Sequence, residues 1–328
     1  SQTLPAVIAF GDSILDTGNN NYINTAIKSN FKPYGRDFKG GIPTGRFSNG
    51  KIISDFFAED VGVKELLPPY LDPNLKLQDL LTGVSFASSG SGYDPLTNRI
   101  TSALSLEDQL KMFKDYIEKL KEAVGEERTA HILEKSIFIL FMGTNDVSVT
   151  YFLSLFRRPW INIDDYTSTL VDQSSNFQQE LYRLGARRIG VFSLLPIGCQ
   201  PVQRTTYGGI ERECAESVNE AAMMFNSKLS SKMMDLKEQL PDARLVYLDT
   251  YNEFLPFIQH PTQFGFEVGD KGCCGTLNVE VGFQCNSSQV QICKDASKYV
   301  FWDAFHLTEK TDYILCSQII KKNYDNFF

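Results

Sequence analysis

The sequence predicts an α/β fold with a five-stranded parallel sheet, and two observations lead to this prediction. Five short apolar runs rich in β-branched and aromatic residues are spread along the 328 residues, at 6–10, 83–87, 136–142, 188–194 and 244–248. Helical patterns lie between most of them, with apolar residues at spacings of three and four over 105–124, 166–184 and 217–240. Strands separated by helices form a parallel sheet that is covered on both faces.

The organisation of the chain favours one folding unit. No change in composition, repeat or low-complexity tract divides it, so we predict a single domain over 1–328. Residues 16–50 hold many glycines and asparagines and few apolar residues, and they predict long surface loops directly after the first strand. Loops that follow the carboxyl ends of parallel strands are where such folds build their sites.

Composition limits the class of partner. Hydrophobic residues make up 42% and charged residues 22%, as in globular proteins. The net charge is −8, from 32 basic and 40 acidic residues, and no basic stripe stands out, so we expect no nucleic-acid partner. Strongly apolar runs such as 137–142 are too short to cross a membrane. Since the chain begins at Ser1 rather than Met, we expect a processed N-terminus, although a shortened chain would look the same.

Cysteine usage indicates an oxidising compartment. Four of the seven cysteines lie within 273–293, a glycine-rich segment with few helix signals, which predicts a disulfide-crosslinked loop. A metal site is the alternative, but there is no C-x₂-C pair and the only histidine nearby is His260, so we expect no metal. Cys316, in a helix-like stretch, is the predicted free thiol. Asn286 begins the one N-x-[ST] sequon, which fits a glycosylated secreted protein.

The turn after the first strand carries the first candidate for chemistry. The buried run at 6–10 stops at Gly11-Asp12-Ser13 and the apolar pattern then resumes. A serine at the sharp exit of a buried strand has its hydroxyl lifted out of the sheet, which suits a nucleophile. An ordinary strand-to-loop turn would have the same composition.

One histidine stands out as a candidate base. His131 lies in a charged helical stretch and His260 in a loop before a proline, whereas His306 follows Asp303 by three residues. Within one helical turn, positions i and i+3 point the same way, so Asp303 can hold one ring nitrogen and leave the other free for the serine proton. The alternative is an N-terminal helix turn with an incidental aspartate.

Two further strand ends carry candidate hydrogen-bond donors. Asn145, in MGTND at 142–146, ends the strongest strand, and its amide can donate to an oxyanion or cap the next helix. Gly90, in SFASSG at 85–90, ends another strand, where a glycine leaves its backbone N–H exposed to a ligand.

These residues and the segments around them resemble the GDSL esterase/lipase family, also called the SGNH hydrolases, in its secreted plant branch. The segments are FGDSILDTGNNN at 10–21, PYGRDF at 33–38, PTGRFSNG at 43–50, LPIGC at 195–199, GCCG at 272–275 and YVFWD at 299–303. The resemblance covers essentially the whole chain. It implies a flavodoxin-like three-layer α/β/α sandwich with five parallel strands.

The resemblance also implies roles for the candidate residues. Ser13 is then the nucleophile, His306 the base and Asp303 the residue that orients it. The backbone N–H groups of Ser13 and Gly90 and the side-chain amide of Asn145 form the oxyanion hole. Cys199 and Cys214 are expected to pair. Cys273 and Cys274 are expected to pair with Cys285 and Cys293, in an order that stays open, because vicinal cysteines rarely bond to each other.

Three positions depart from the family pattern. VSFASSG at 84–90 aligns with the family's VNFASGG, so Ser85 replaces asparagine and Ser89 replaces the first glycine. The Ser89 side chain is expected to narrow or polarise the pocket. Leu307 follows the histidine where the family prefers proline, and it is expected to loosen the His306 loop.

The resemblance implies a plant serine esterase or lipase of lipid metabolism that acts through an acyl-enzyme without a cofactor. Acetylated polysaccharide, lipid and phenolic esters remain open as substrates. We expect a monomer that is secreted to the cell wall or apoplast after signal-peptide removal. A transacylase using an alcohol acceptor at the same site is the alternative, and a non-catalytic binding protein is disfavoured by the intact residue set. Arg36 and Arg46 either bind polar substrate parts or, as we favour, are exposed surface arginines.

Overall fold

The central sheet has four parallel strands whose spatial order follows the chain. The structure is a computed structural model, and it describes residues 4–276, 279–280, 285–286 and 290–328. The four strands are β1 (Val7–Gly11), β2 (Ile137–Phe141), β3 (Arg188–Phe192) and β4 (Arg244–Leu248). β1 and β2 pair along their whole length, from Val7 opposite Ile137 to Gly11 opposite Phe141. The predicted α/β fold with a parallel sheet is therefore confirmed.

Helices fill most of the chain between the strands. The α-helices are α1 (Ile53–Asp60), α2 (Leu77–Thr82), α3 (Pro95–Thr101), α4 (Leu106–Val124), α5 (Glu126–Lys135), α6 (Ile163–Arg183), α7 (Pro201–Tyr207), α8 (Glu216–Gln239), α9 (Thr250–Gln259) and α10 (Glu309–Asn323). A π-helix spans Asp146–Leu153. Short 3₁₀ helices span Asn19–Tyr22, Lys39–Gly41, Ile197–Cys199, Pro261–Phe264, Ala296–Lys298 and Tyr324–Phe327.

Two short pairs of strands lie outside the central sheet. β5 (Val268–Gly272) pairs in parallel with β8 (Tyr299–Phe301), and β6 (Cys274–Gly275) pairs antiparallel with β7 (Gln291–Ile292). The β6 and β7 pair lies within the cysteine-rich segment 273–293, and β5 and β8 flank that segment in the chain.

The predicted fifth strand does not form a continuous ladder, so the count of five ladder strands is wrong. Segment 83–87 lies beside β1 and makes one parallel bridge, between Ser85 and Ala9. The next rung is missing because the Gly11 N–H donates to Gln109 Oε1 (2.9 Å) and not to the neighbouring segment. On the outer side, Ser85 makes one more isolated parallel bridge, with Pro69. Counted with this segment, the spatial order in chain numbering is 2-1-3-4-5, the flavodoxin-like order.

Apolar side chains alternate along the strands and enter two cores, one on each face of the sheet. Ile8 and Phe10 of β1 belong to a core with side chains from α4, α5, α6 and α8. Val7 and Ala9 belong to a second core with side chains from α1, α9 and α10. Because strand residues alternate between faces, both faces of the sheet are covered and the layers run α/β/α.

The strongest helical patterns predict their helices closely. α4 begins one residue after the predicted start because Ser105 is its N-cap, accepting the Asp108 N–H while the Asp108 carboxylate accepts the Ser105 N–H. α8 lies within one residue of its predicted bounds at each end. α6 begins three residues before its predicted start at 166, because its first turn is acidic and has little apolar signal.

The predicted surface loops at 16–50 are irregular, but much of this segment is buried. Asn19 and Asn20 are almost fully inaccessible to solvent. The Asn19 amide donates to the carbonyls of Ser85 and Ala87, both at 2.8 Å, and the Asn20 amide donates to the Ser89 carbonyl at 2.8 Å. The asparagines that suggested a surface loop therefore satisfy buried backbone groups of the segment beside β1.

Gln109 is expected to stabilise this edge of the sheet strongly. Its buried amide accepts from the Gly11 N–H and donates to the Gly11 carbonyl, so Gln109→Leu leaves a buried N–H unpaired. We expect the free energy of unfolding to fall by about 2–4 kcal/mol. Urea denaturation measures this. The control Gln239→Leu, at an exposed position of α8, is expected to change it by no more than about 0.5 kcal/mol. Equal effects of the two substitutions would contradict the role given to Gln109.

Candidate active site

Ser13 lies in a tight turn at the carboxyl end of β1. Gly11, with φ of 145°, precedes the turn, and a Cβ there would lie 2.1 Å from the Phe141 carbonyl oxygen, so only glycine fits. Asp12 shapes the turn, since its carboxylate accepts the Ile14 N–H (3.0 Å) and its carbonyl accepts the Leu15 N–H (3.1 Å). The turn leaves Ser13 8% exposed, at the surface of the site.

Ser13, His306 and Asp303 form one hydrogen-bonded line. Ser13 Oγ lies 2.9 Å from His306 Nε2, across 293 residues of chain. His306 Nδ1 lies 2.9 Å from Asp303 Oδ1 and 2.8 Å from Oδ2. The structure therefore brings together the three side chains that the sequence singled out.

The turn that holds Asp303 and His306 is not the helical turn that the spacing predicted. Residues 302–305 form a bend after β8, and α10 begins only at Glu309. Asp303 Oδ1 accepts the backbone N–H of Phe305 at 2.9 Å and of His306 at 2.7 Å. The carboxylate thus forms its own turn, which places the imidazole over it.

Asp303 is almost completely buried, yet it stays ionised. Burial alone would raise the pKa of its carboxyl, but the charge and hydrogen bond of His306 lower it. The Tyr34 hydroxyl (2.7 Å from Oδ2) and the Phe305 N–H lower it further, and the net pKa lies below the ordinary value. An anionic Asp303 fits a role in holding the Nδ1 proton of His306.

The three predicted oxyanion donors lie at the same edge of the sheet. Neither the Ser13 nor the Gly90 backbone N–H has an acceptor among the residues that the structure describes. Gly90 has φ of 88°, and a Cβ there would meet Thr101 at 2.8 Å. Asn145 Nδ2 donates to the Ser91 carbonyl at 2.9 Å, which fixes the amide and leaves its second N–H available.

Buried carboxylates hold these loops in place. Asp16 accepts the backbone N–H groups of Gly18, Asn19 and Ser89. Asp146 accepts the N–H groups of Tyr93 (2.8 Å) and Asp94 (2.9 Å). The strand-end loops that carry Gly90 and Asn145 are therefore tied by side chains rather than by a sheet ladder.

Burial raises the pKa of Asp12 and of both buried carboxyls described above, Asp16 and Asp146. Burial raises the pKa of Asp12 to about 8, and the charges of Asp146 and Asp16 add to the rise. Burial also raises the pKa of Asp146 to about 7 against the hydrogen bonds that it accepts. Asp12 Oδ2 is buried and has no hydrogen-bond partner among the described residues, which agrees with a carboxyl that resists ionisation.

Ser89 and Leu307 do not act as the sequence predicted. Ser89 is fully buried and its hydroxyl donates to Asp16 Oδ2 at 2.8 Å, so it neither narrows nor polarises a pocket. Leu307 packs into the second core and forms an isolated antiparallel β-bridge with Phe301. Its carbonyl accepts a hydrogen bond from the Ser48 hydroxyl at 2.9 Å. The loop after His306 is therefore held without a proline. Ser85 also turns inward, donating to the Leu15 carbonyl.

Both arginines of the early loops have partners within the protein. Arg46 is 5% exposed and makes two hydrogen bonds to Asp55, at 2.7 and 2.8 Å, so its predicted exposure is wrong. Arg36 donates to the Cys293 carbonyl at 2.7 Å and lies over the Trp302 ring. His131 and His260 are both exposed and make none of the contacts of His306.

The cysteine-rich segment is crosslinked, and its pairing order is now assigned. The disulfides are Cys199–Cys214, Cys273–Cys293 and Cys274–Cys285, and Cys316 is free and buried. Asn286 is exposed, whereas Ser287 and Ser288 of its sequon lie outside the described residues. In the described ranges, no group of three or more His, Cys, Asp or Glu side chains is arranged to hold a metal ion. Nor does any helix there have the length and apolar character to cross a membrane.

The roles of several residues that build the site could not be predicted from the sequence, although Asp16 and Tyr34 lie in segments that carry the family resemblance. Tyr34, Gln109 and Asp16 contact the site only through tertiary folding, across separations of 269, 98 and 73 residues. Asp16 follows Ser13 by three residues in a turn-rich stretch, which offered a weak hint. A hydroxyl or amide far away in the chain offers none.

Comparison with known proteins identifies relatives along the whole chain. A family model described as GDSL-like Lipase/Acylhydrolase matches residues 7–319. The GDSL esterase/lipase EXL3 of Arabidopsis thaliana is 50% identical over 324 residues, which cover 99% of this chain and 89% of that protein. The GDSL esterase/lipase At3g14820 of the same organism is 51% identical over 320 residues, which cover 98% of this chain and 90% of that protein.

Solved structures align over most of the chain at low similarity. An extracellular lipase from Streptomyces rimosus aligns with a TM-score of 0.42 and 12% identity, over 96% of this chain and 99% of that one. A catalytic mutant of the acetylxylan esterase Axe2 from Geobacillus stearothermophilus aligns with a TM-score of 0.40 and 13% identity, over 97% and 93%. At these scores the alignments support no conclusion about substrate.

The raised pKa values of Asp12 and Asp146 predict that stability falls as pH rises. Unfolded, both carboxyls have the ordinary pKa of 3.8, whereas burial raises the folded values to about 8 and about 7. Between about pH 4 and pH 8 the folded state therefore binds more protons than the unfolded state, and the free energy of unfolding decreases. The lowered pKa of Asp303 affects the free energy of unfolding only at pH values below this range.

Urea denaturation at about pH 5 and about pH 8 measures this decrease. The side chain of Asp12→Asn is neutral at both pH values, so this variant is expected to show a smaller decrease in the free energy of unfolding than the wild type. The control Asp235→Asn, at an exposed position of α8, should keep the wild-type dependence. An unchanged pH dependence in Asp12→Asn would contradict the raised pKa of Asp12.

Proposed function

This chain belongs to the GDSL-like Lipase/Acylhydrolase family and is a carboxylic ester hydrolase, and from that premise we propose that Ser13 is its nucleophile. The observation that carries the proposal is the 2.9 Å contact between Ser13 Oγ and His306 Nε2. A serine hydroxyl is a weak nucleophile until a base takes its proton. A neutral imidazole at hydrogen-bond distance is such a base.

The proposed first step is attack of Ser13 Oγ on the ester carbonyl carbon. His306 Nε2 accepts the hydroxyl proton as the new C–O bond forms. The Asp303 carboxylate holds the Nδ1 proton and stabilises the imidazolium that results, and it does not itself become protonated. The buried, anionic state of Asp303 supports this assignment.

The carbonyl oxygen becomes negatively charged as Ser13 attacks, and we assign three donors to it. These are the backbone N–H groups of Ser13 and Gly90 and the free amide N–H of Asn145. Their support is that the two backbone donors have no acceptor in the described part of the chain and that Ser91 fixes the Asn145 amide. Donors that are already in place stabilise the charge without reorganising during the step.

Collapse of the tetrahedral intermediate expels the alcohol, which takes the proton from His306, and leaves the acyl group on Ser13. In the second half, His306 takes a proton from water, the hydroxide oxygen attacks the acyl carbon, and the acid leaves as Ser13 recovers its proton. An alcohol acceptor in place of water would yield a new ester by the same steps.

We assign the protein to an oxidising, extracellular location. Three disulfides lie in the described chain, and such bonds persist in secreted proteins and are rare in the cytosol. The exposed Asn286 supports glycosylation of the same crosslinked segment. The proposed substrates are the ester classes that a secreted plant enzyme would meet: acetylated polysaccharide, lipid esters and phenolic esters.

Substitution of Ser13 or His306 is expected to abolish ester hydrolysis. With p-nitrophenyl acetate, butyrate and a long-chain ester, Ser13→Ala and His306→Ala should each lower kcat by about 10⁴-fold or more. Ser227→Ala, His131→Ala and His260→Ala alter exposed residues and should retain wild-type rates.

The same assay tests the nucleophile assignment and the alternatives to hydrolysis. Turnover by Ser13→Ala at the wild-type rate would refute the assignment of the nucleophile. Product only when an alcohol acceptor is added would replace hydrolysis by transacylation, and no reaction of the wild-type protein under either condition would favour a binding protein. The rates for the three chain lengths separate an acetylesterase from a lipase.

Asn145→Ala is expected to lower kcat by about 10²–10³-fold and to change KM little, because its amide contacts charge that develops only in the transition state. Steady-state kinetics with p-nitrophenyl acetate measure both constants. Asn252→Ala, which alters an exposed position of α9, is the control. A large rise in KM at unchanged kcat would instead place Asn145 among the residues that bind the ground state.

A further inference from the structure

Tyr34 is fully buried and contacts the Asp303 carboxylate. Its hydroxyl donates to Asp303 Oδ2 at 2.7 Å and accepts the Cys285 backbone N–H at 3.0 Å. Both hydrogen-bonding capacities of the hydroxyl therefore have partners. The line from Ser13 through His306 to Asp303 continues through Tyr34 into the disulfide-crosslinked segment.

The two oxygens of Asp303 are held in different ways. Oδ1 accepts two backbone N–H groups, from Phe305 and His306, so the local turn fixes it. Among the described residues, Oδ2 has no backbone donor and contacts the His306 ring and the Tyr34 hydroxyl. Within the described part of the chain, Tyr34 thus supplies the hydrogen bond to Oδ2 that comes from outside the Asp303–His306 turn.

The ring of Tyr34 is fixed by aromatic neighbours. Its centroid lies 5.5 Å from that of Phe31, 5.4 Å from Phe47 and 6.4 Å from Trp302, all at steep angles. Phe47 in turn lies 4.6 Å from the His306 ring. One aromatic cluster therefore packs behind both residues of the pair, and the hydroxyl has little freedom to leave Asp303.

We propose that Tyr34 is a positioning residue for the reaction, which holds Asp303 in register with His306 and keeps its carboxylate ionised. This inference rests on the proposed function, since it matters only if Asp303 and His306 act on Ser13. The Cys274–Cys285 disulfide belongs to the same device. It holds the Cys285 N–H against the Tyr34 hydroxyl, which orients the hydroxyl proton toward Asp303.

The negative charge of Asp303 favours a Tyr34 hydroxyl that keeps its proton and donates a hydrogen bond. Burial and the neighbouring Asp303 charge raise the pKa of Tyr34 well above its ordinary value, so it keeps its proton. Besides Tyr34, the described titratable groups that interact with Asp303 include His306 and Glu280, whose pKa the Asp303 charge raises, and Arg36 lies over the ring of the adjacent Trp302. Removing only the Tyr34 hydroxyl leaves all three in place.

Loss of this donor makes the carboxylate less stable as an anion, so the Asp303–His306 pair binds a proton more readily. In Tyr34→Phe the acid limb of the kcat/KM profile should move up by about one pH unit. We expect kcat to fall about tenfold, as for loss of one hydrogen bond to a charged group, with KM within about twofold of wild type. The phenylalanine ring preserves the aromatic cluster.

The matched control is Tyr116→Phe. Tyr116 is also fully buried, and its substitution also removes one hydrogen bond, from its hydroxyl to the Leu80 carbonyl, but it lies in the core with α4, α5, α6 and α8 and not in the aromatic cluster of Tyr34. It should leave both kcat and the pH profile unchanged. An acid limb that stays in place in Tyr34→Phe, or that moves equally in Tyr116→Phe, overturns the proposal.

A second measurement does not depend on how Tyr34→Phe folds. Replacing Tyr34 by 3-fluorotyrosine keeps the ring and hydroxyl and makes the hydroxyl a stronger donor, so the acid limb should move to lower pH. A shift to higher pH, or none, contradicts the proposal. Removing the Cys274–Cys285 disulfide by a Cys274→Ser/Cys285→Ser double substitution should lower kcat, as Tyr34→Phe does. Wild-type kinetics in this variant would refute the role assigned to the disulfide.

The proposed function is tested separately by Ser13→Ala. If Ser13→Ala retains activity, the function assigned above fails whatever Tyr34 does. If Ser13→Ala is inactive and Tyr34→Phe matches wild type in kcat and in pH profile, only the role of Tyr34 fails.

Discussion

The parallel pairing of β1 with β2 is the constraint on which the site depends. Gly11 lies directly against the Phe141 carbonyl, so the turn that carries Ser13 leaves the sheet beside the loop that carries Asn145. In the flavodoxin-like strand order, these two strands flank the point where the connections switch direction, and a crevice opens there at the carboxyl edge. A side chain at Gly11 would push the strands apart and separate the residues assigned to attack and to charge stabilisation.

Buried polar side chains replace the sheet ladder at this edge. Gln109 takes the Gly11 backbone groups, Asp16 gathers N–H groups from two loops, and Asp146 ties the segment after Gly90 to the π-helix. Each substitutes for a backbone partner that a regular strand would have supplied. Burial disfavours the ionised form of these carboxyls and raises the pKa of Asp146 to about 7. Their hydrogen bonds nevertheless fix the loops at the site, which have no regular secondary structure.

Local sequence patterns predicted much of this architecture, but they did not predict contacts between residues that lie far apart in the sequence. The apolar period of α8 and the N-cap serine of α4 set their bounds to within a residue, because both signals lie within the element itself. The 83–87 run has the composition of a strand, but the missing rung depends on Gln109, which is remote in sequence. Ser13, Asp303 and His306 were recognised from residue type and from a family resemblance. Tyr34 was not, because its contact with Asp303 spans 269 residues.

The central claim is that Ser13 carries the acyl group that His306 helps to transfer. Rapid quenching of the enzyme during turnover of a slow ester, followed by peptide mapping by mass spectrometry, tests it most directly. The account predicts that one acyl group is attached to the peptide containing Ser13 in the wild-type protein and that this adduct is absent from His306→Ala. Turnover without any adduct under conditions that slow deacylation, or an adduct on another residue, would contradict it.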